Sequence, residues 1–149
     1  MEKIEKNLEY NEFCFGCGEE NPIGAKLSFF KISEESVKSN FLVPDTWGGW
    51  GKIIHGGLQT VLLDEISAWV IVALLNEQGL TVKAQIEFLK PLYVEEEVEI
   101  VGRVKETDDR DITITSVLRN KKGETCTKGT FIYRKVAMDK IKKMAKIPF

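Results

Sequence analysis

One segment of this chain is apolar in a way that the rest is not. From Leu58 to Asn76, large apolar side chains recur at helical spacing and leave almost no polar face. That pattern predicts a single long helix covered on nearly every side, with Gly79 expected to end it. Elsewhere the period shortens to two. Lys26–Ile32 and Ser36–Val43 read as strands joined by the turn Ser33-Glu34-Glu35. Leu80–Leu89, Glu97–Lys105, Asp111–Asn120 and Glu124–Val136 read as four more. The alternation is clearest where Ile112, Ile114, Ser116 and Leu118 oppose Thr113, Thr115, Val117 and Arg119. Hairpins are predicted through Asp108-Asp109-Arg110 and Lys121-Lys122-Gly123. Pro44–Ile54, with three glycines and two tryptophans, reads as a loop, and Asp139–Lys146 as a short basic helix.

The order is two strands, a helix, then four strands, with no second crossover helix. Such an order calls for an antiparallel sheet. One helix that is apolar all round calls for a sheet that wraps it. The expected class is α+β, with five to six antiparallel strands around one long central helix. We expect an irregular leader over residues 1–25, the folded domain over 26–136 and a basic tail over 137–149.

Composition narrows the function. A chain of 149 residues fits one domain and can bury its own core. The formal net charge is -2 with acids and bases interspersed, which argues against a nucleic-acid partner. Leu58–Leu75 is long enough to raise the question of a membrane span. Asp64 and Glu65 in its middle make a buried helix the better reading. The charged start, Met1 to Lys6, does not resemble a secretory signal, and three cysteines suggest reduced thiols, so a cytoplasmic location is expected.

The chemistry concentrates in Ile54 to Glu65. His55 is the sole histidine and stands where loop becomes helix, followed by Gly56 and Gly57. A helix N-terminus offers unpaired N–H groups and a partial positive charge. Without Cβ atoms over them, those donors can approach a carbonyl that is becoming an oxyanion. Asp64 is the second anomaly, a carboxylate in an apolar helix, costly unless partnered or functional. Eight residues separate it from Gly56, roughly 12 Å of helix rise. A base must lie within about 3 Å of its target or water. One copy of the helix cannot bring both groups to one carbonyl, whereas two antiparallel copies can. If both act, the assembly is at least a homodimer, with a homotetramer as the larger alternative. The competing readings are a capping histidine and a structural carboxylate, and Glu65 reads as a structural or interface acid.

His55-Gly56-Gly57, with an acid nine residues after the histidine, resembles the hotdog-fold acyl-CoA thioesterases, in particular their PaaI-like, phenylacetate-pathway branch. Leu62-Leu63-Asp64-Glu65, the strand Thr81 to Leu92 and the leader Cys14-Phe15-Gly16-Cys17-Gly18 through Asn21-Pro22-Ile23-Gly24 resemble the same branch. The resemblance spans about Phe13 to Arg134. It implies a hotdog fold and hydrolysis of an acyl- or aryl-CoA thioester to free acid and CoA, with no metal and no organic cofactor. Gly56, with Gly57 as a second donor, would polarise the carbonyl, and Asp64 of the partner subunit would act as general base or nucleophile. Thr81 would orient Asp64 or water, and His55 would shape the helix start. Two departures stand out. Many relatives carry an asparagine shortly before the His-Gly-Gly, where this chain has Gly48-Gly49-Trp50-Gly51-Lys52, and Lys83 replaces a common acid. The first departure keeps open a non-catalytic module that binds acyl-CoA as a sensor or scaffold.

Trp50 and Lys90 are candidate substrate-binding residues, as an acyl-pocket wall and a partner for CoA phosphates. Loop packing and solvated surface are the plainer readings. Cys14 and Cys17 form a Cys-x-x-Cys pair, for which packing of the leader is preferred over metal or redox roles. A structural zinc wants four ligands, and only Cys126 and His55 remain as soft candidates.

Overall fold

In the computed structural model, which describes residues 1–6 and 11–147, five long strands and one helix stand where the periodicities put them. Residues 7–10 of the expected leader and 148–149 of the expected tail lie outside the described residues. In chain order the elements are β1 (Glu2–Lys3), β2 (Phe30–Lys31), β3 (Ser36–Leu42), α1 (Gly56–Val70), β4 (Gly79–Phe88), β5 (Glu97–Thr107), β6 (Asp111–Arg119), β7 (Thr125–Lys135) and α2 (Met138–Met144). The strands form one antiparallel sheet in the order β1-β2-β3-β5-β6-β7-β4. The architecture is α+β, a hotdog with α1 as its filling. The count reaches seven because β1 and β2 are two-residue ladders at one edge.

The core lies between α1 and the sheet. Leu62, Leu63, Ile66, Trp69 and Val70 of α1 are buried, as are Val98, Ile100, Ile112, Ile114, Leu118, Phe131 and Tyr133 of the strands. The helix comes closest at Gly102. A Cβ there would stand 2.9 Å from Val70 Cγ2 and 3.3 Å from the Ile66 carbonyl oxygen. The hairpins form as predicted. Asp108 Oδ1 accepts from the amides of Arg110 and Asp111, and Asn120 Oδ1 accepts from those of Lys122 and Glu124.

Several expectations need correction. The helix begins two residues early, at Gly56, because His55 caps it. It continues through a π-helical turn, Ile71–Leu75, and is ended by Asn76 in the left-handed conformation (φ 50°) rather than by Gly79. Gly79 belongs to β4, where a Cβ would meet the Arg134 carbonyl oxygen at 2.6 Å. Only Phe30–Lys31 of the expected first strand enters the ladder, although Leu27 and Phe29 are buried.

The expectation of a helix covered on nearly every side also fails within one chain. Leu58, Val61 and Ala68 are only half-buried. The edge strand β4 pairs with β7 alone and is exposed along almost its whole length, including Leu80, Val82 and Phe88. The run Gly56–Leu75 has the length and apolarity of a membrane span, yet its buried side chains pack on the sheet. Gly102→Val should wedge the helix off β5 and cost about 1–3 kcal/mol as an overpacked core does. Urea denaturation compared with wild type measures this directly.

Candidate active site

The start of α1 is built by three polar side chains. His55 Nδ1 accepts a hydrogen bond from the Gly57 amide at 2.9 Å, which makes His55 a side-chain N-cap. An accepting Nδ1 places the proton of the neutral ring on Nε2. Gln59, buried, donates from Nε2 to the Ile54 carbonyl oxygen at 2.9 Å. Its Oε1 accepts from Thr127 Oγ1 at 2.5 Å, which ties the helix start to β7. Thr60 Oγ1 bonds back to the Gly56 carbonyl oxygen.

These bonds separate the two candidate donors. The Gly57 amide is already engaged by its histidine. The Gly56 amide has no hydrogen-bond partner among the described residues. It is sheltered by the ring of Phe88, which a Cβ on Gly56 would approach to 3.3 Å. A groove of about 300 Å³ opens there, lined by Trp50, Ile53, His55, Phe88, Leu89 and Lys90 among others. Trp50 is 89% exposed and forms an apolar wall. Lys90 lines the same groove while paired with Glu124.

Asp64 sits two turns further along α1. Its Oδ1 accepts from Thr81 Oγ1 at 2.9 Å and from the Tyr133 hydroxyl at 2.7 Å. The same hydroxyl lies 2.9 Å from the Asp64 main-chain oxygen. Oδ2 has no partner among the described residues. Burial first, and then the Asp64 carboxylate, push the Tyr133 phenol above its ordinary range, so it remains a donor at any working pH. Thr81 reaches Asp64 because β4 carries a bulge. Thr81 pairs with Tyr133 and Lys83 with Ile132, with Val82 left over between them. The bulge puts Thr81 on the helix side together with Ala84, Ile86 and Phe88.

The predicted residues therefore fall into two groups within one chain. Trp50, His55, Gly56, Gly57 and Lys90 gather at the helix start, while Asp64 and Thr81 gather about 12 Å away by helix rise. Sequence reading missed Tyr133 and Gln59. The signal for Tyr133 was its place beside Phe131 in the inward register of β7, since a buried phenol needs a partner. Gln59 offered a weaker signal, a polar side chain in the first turn of an otherwise apolar helix.

A family model described as the thioesterase superfamily matches residues 51–127, just over half of the 149-residue chain. The chain belongs to the thioesterase superfamily. Among curated proteins no match is found. Solved structures agree on the fold of this superfamily member. Protein RHA08564, a thioesterase superfamily protein, matches with TM-score 0.73 and 23% identity over 79% of this chain. The present chain spans 61% of its length. A hypothetical thioesterase from Streptococcus pneumoniae TIGR4, solved with coenzyme A, matches with TM-score 0.69 and 22% identity over 74% of this chain and 86% of that one. The smu.793 protein of Streptococcus mutans UA159, bound to acetyl-CoA, matches with TM-score 0.69 and 20% identity over 74% and 89%.

Tyr133→Phe deletes one of the two hydroxyl donors to Asp64 while keeping the ring that fills the core. A hydrogen bond to a charged group is worth about 1.5–3 kcal/mol. Denaturation midpoints should show a loss of that size, and a loss near zero would mean that the phenol does not hold the carboxylate.

Proposed function

We propose that this superfamily member hydrolyses an acyl- or aryl-CoA thioester to the free acid and CoA, in the manner of the PaaI-like branch. The observation that carries this reading is the division of labour along α1. An amide without a partner, Gly56 N–H, lies about two turns from a carboxylate with one oxygen held and one oxygen free. Each half is a recognised part of acyl transfer, a donor for the oxyanion and a base for water. Neither half can complete the reaction within one chain.

A second copy resolves the separation. Antiparallel apposition of two α1 helices sets the Gly56 end of one beside Asp64 of its partner. The unpaired edge of β4 and the half-covered face of α1 supply the surface for that apposition, because an exposed apolar edge strand invites pairing. A homodimer is the smallest assembly that satisfies this geometry. In it the thioester carbonyl accepts from Gly56 N–H, and Asp64 Oδ2 of the partner draws a proton from the attacking water. The tetrahedral intermediate then expels CoA as thiolate, which regains a proton. Thr81 and Tyr133 fix the carboxylate and compensate its charge. Trp50 walls the acyl group, and Lys90 offers a cation to the CoA phosphates. The reaction as written needs no metal and no organic cofactor. CoA and acetyl-CoA in the two streptococcal relatives support this ligand class. Structures of a hypothetical thioesterase of that pneumococcal strain have also been solved with a threonine and with an aspartate replaced by alanine.

Thiol release from a panel of short, medium, long and aromatic acyl-CoAs tests the reading. Asp64→Asn should lower turnover at least about a hundredfold with the fold intact. Gly56→Pro is the sharper probe, since it removes the amide proton, and Gly56→Ala, which adds a Cβ beside Phe88 but keeps the proton, is its control. Proline is tolerated at the first helical position, and His55 already has the extended backbone (φ -54°, ψ 131°) that a following proline requires. A loss of about 10²–10³ is expected from one missing oxyanion donor. Mixed and re-equilibrated, the two inactive variants should recover about a quarter of wild-type activity, because half of the two-fold dimers then hold one intact site. No recovery would sink the shared site. Binding of acyl-CoA without turnover by wild type would make the chain a sensor or scaffold instead.

A further inference from the structure

The leader brings together groups that the proposed hydrolysis does not use. Cys14 Sγ, Cys17 Sγ and a carboxylate oxygen of Glu65 all lie within 4.8 Å of one another, at the seam between the leader and α1. The sequence left the Cys-x-x-Cys pair short of ligands, because its remaining soft candidates were Cys126 and His55. The fold supplies a different third group, the acid next to Asp64 in sequence but turned to another face of the helix.

The surroundings are shaped around these three atoms. Cys14 Sγ and Glu65 Oε1 stand 3.5 Å apart, against an edge of about 3.6 Å for a tetrahedron with zinc–sulfur near 2.3 Å and zinc–oxygen near 2.1 Å. A Cβ on Gly16 would lie 2.4–2.5 Å from the Glu65 carboxyl group, so any larger residue there would push the carboxylate out of place. Gly18 is equally constrained, because a Cβ would fall 2.3 Å from the Glu12 carbonyl oxygen and 2.5 Å from the Cys14 nitrogen. The turn closes with the Gly18 amide on the Cys14 carbonyl oxygen at 2.9 Å. Trp69 Nε1 donates to Glu65 Oε1 at 3.2 Å and sets the carboxylate's direction. Cys14 and Glu65 are half-buried and Cys17 is buried, so one side of the group stays open to solvent.

We propose that Cys14, Cys17 and Glu65 bind a thiophilic divalent cation, zinc by preference, with a water on the open side as fourth ligand. Two soft sulfurs select against magnesium and calcium, and the 3.5 Å separation of Cys14 Sγ and Glu65 Oε1 suits zinc. On binding, both thiols release their protons and the metal takes two thiolates and one carboxylate. The ion crosslinks the leader to α1 one residue from Asp64. It takes no part in the hydrolysis, and the proposal stands or falls independently of that reaction.

Protein isolated anaerobically, without chelator and without an affinity tag, should carry about one zinc per chain by mass spectrometry of the metal, as a site of one cation requires. Removal by a chelator should lower the melting temperature, and added zinc should restore it. Cobalt(II) in its place should give the sulfur-to-metal charge-transfer band of thiolate ligation. The double variant Cys14→Ser, Cys17→Ser should lose the metal and the band, and Glu65→Gln should weaken zinc binding while leaving the band. Stripped wild type should take zinc back from a competing colorimetric chelator, a readout that does not depend on any variant folding. The proposal is overturned if the stripped protein takes up no zinc and shows no thermal shift. It is equally overturned if the double variant retains as much zinc as wild type, or if the anaerobic protein holds a Cys14–Cys17 disulfide.

Discussion

A carboxylate midway along an apolar helix has to be held by something, and in this chain it is held by two hydroxyls from neighbouring strands. Asp64 Oδ1 receives Thr81 from β4 and Tyr133 from β7. That single oxygen therefore fixes the rotation of α1 against the sheet, and it requires the bulge that turns Thr81 inward. The helix cannot slide or turn to bury Asp64 more deeply without breaking both bonds. Gly102 sets its closest approach to the sheet, and Gln59 anchors its start to β7 through Thr127. The other polar atoms of the helix follow from this placement. Gly56 falls at the open end under Phe88, and Glu65 turns toward the leader.

Much of this was legible in the sequence. Long strands with strict alternation and one uniformly apolar helix define an antiparallel sheet around a core, and the chain adopts that arrangement. His-Gly-Gly and Asp64 stood out as candidate chemistry because each breaks a local rule, glycines at a helix start and an acid among leucines. The distance between them, read from helix rise, calls for a second copy if both are to act on one carbonyl. What escaped was set by tertiary contact. Asn76 rather than Gly79 ends the helix, because a π-helical turn widens its last residues and a left-handed asparagine closes it as well as glycine does. Tyr133 looked like one more inward residue of a strand, and only the helix position gives its hydroxyl a partner. The meeting of Cys14 with Glu65 spans 51 residues, and no local periodicity reports a contact of that range.

The exposed edge and the half-covered helix belong to the same account. A strand exposed on both sides has little to hold it within a single chain, yet β4 keeps its full ten-residue length beside β7. It carries Thr81 and Phe88, which flank the two halves of the site. The surface that most needs covering is thus the surface that carries both halves of the candidate site. In the proposed homodimer, covering the fold and completing the site are one event.

The histidine cap decides how many donors the helix start can offer. Nδ1 accepts the Gly57 amide, and the Gly56 amide keeps no partner among the described residues. A bare Gly-Gly start would present both amides side by side as a nest for any small anion. Engaging one of them with the histidine leaves a single donor beside the ring of Phe88. The helix start is thereby narrowed from a general anion trap to a point that one oxygen atom can fill.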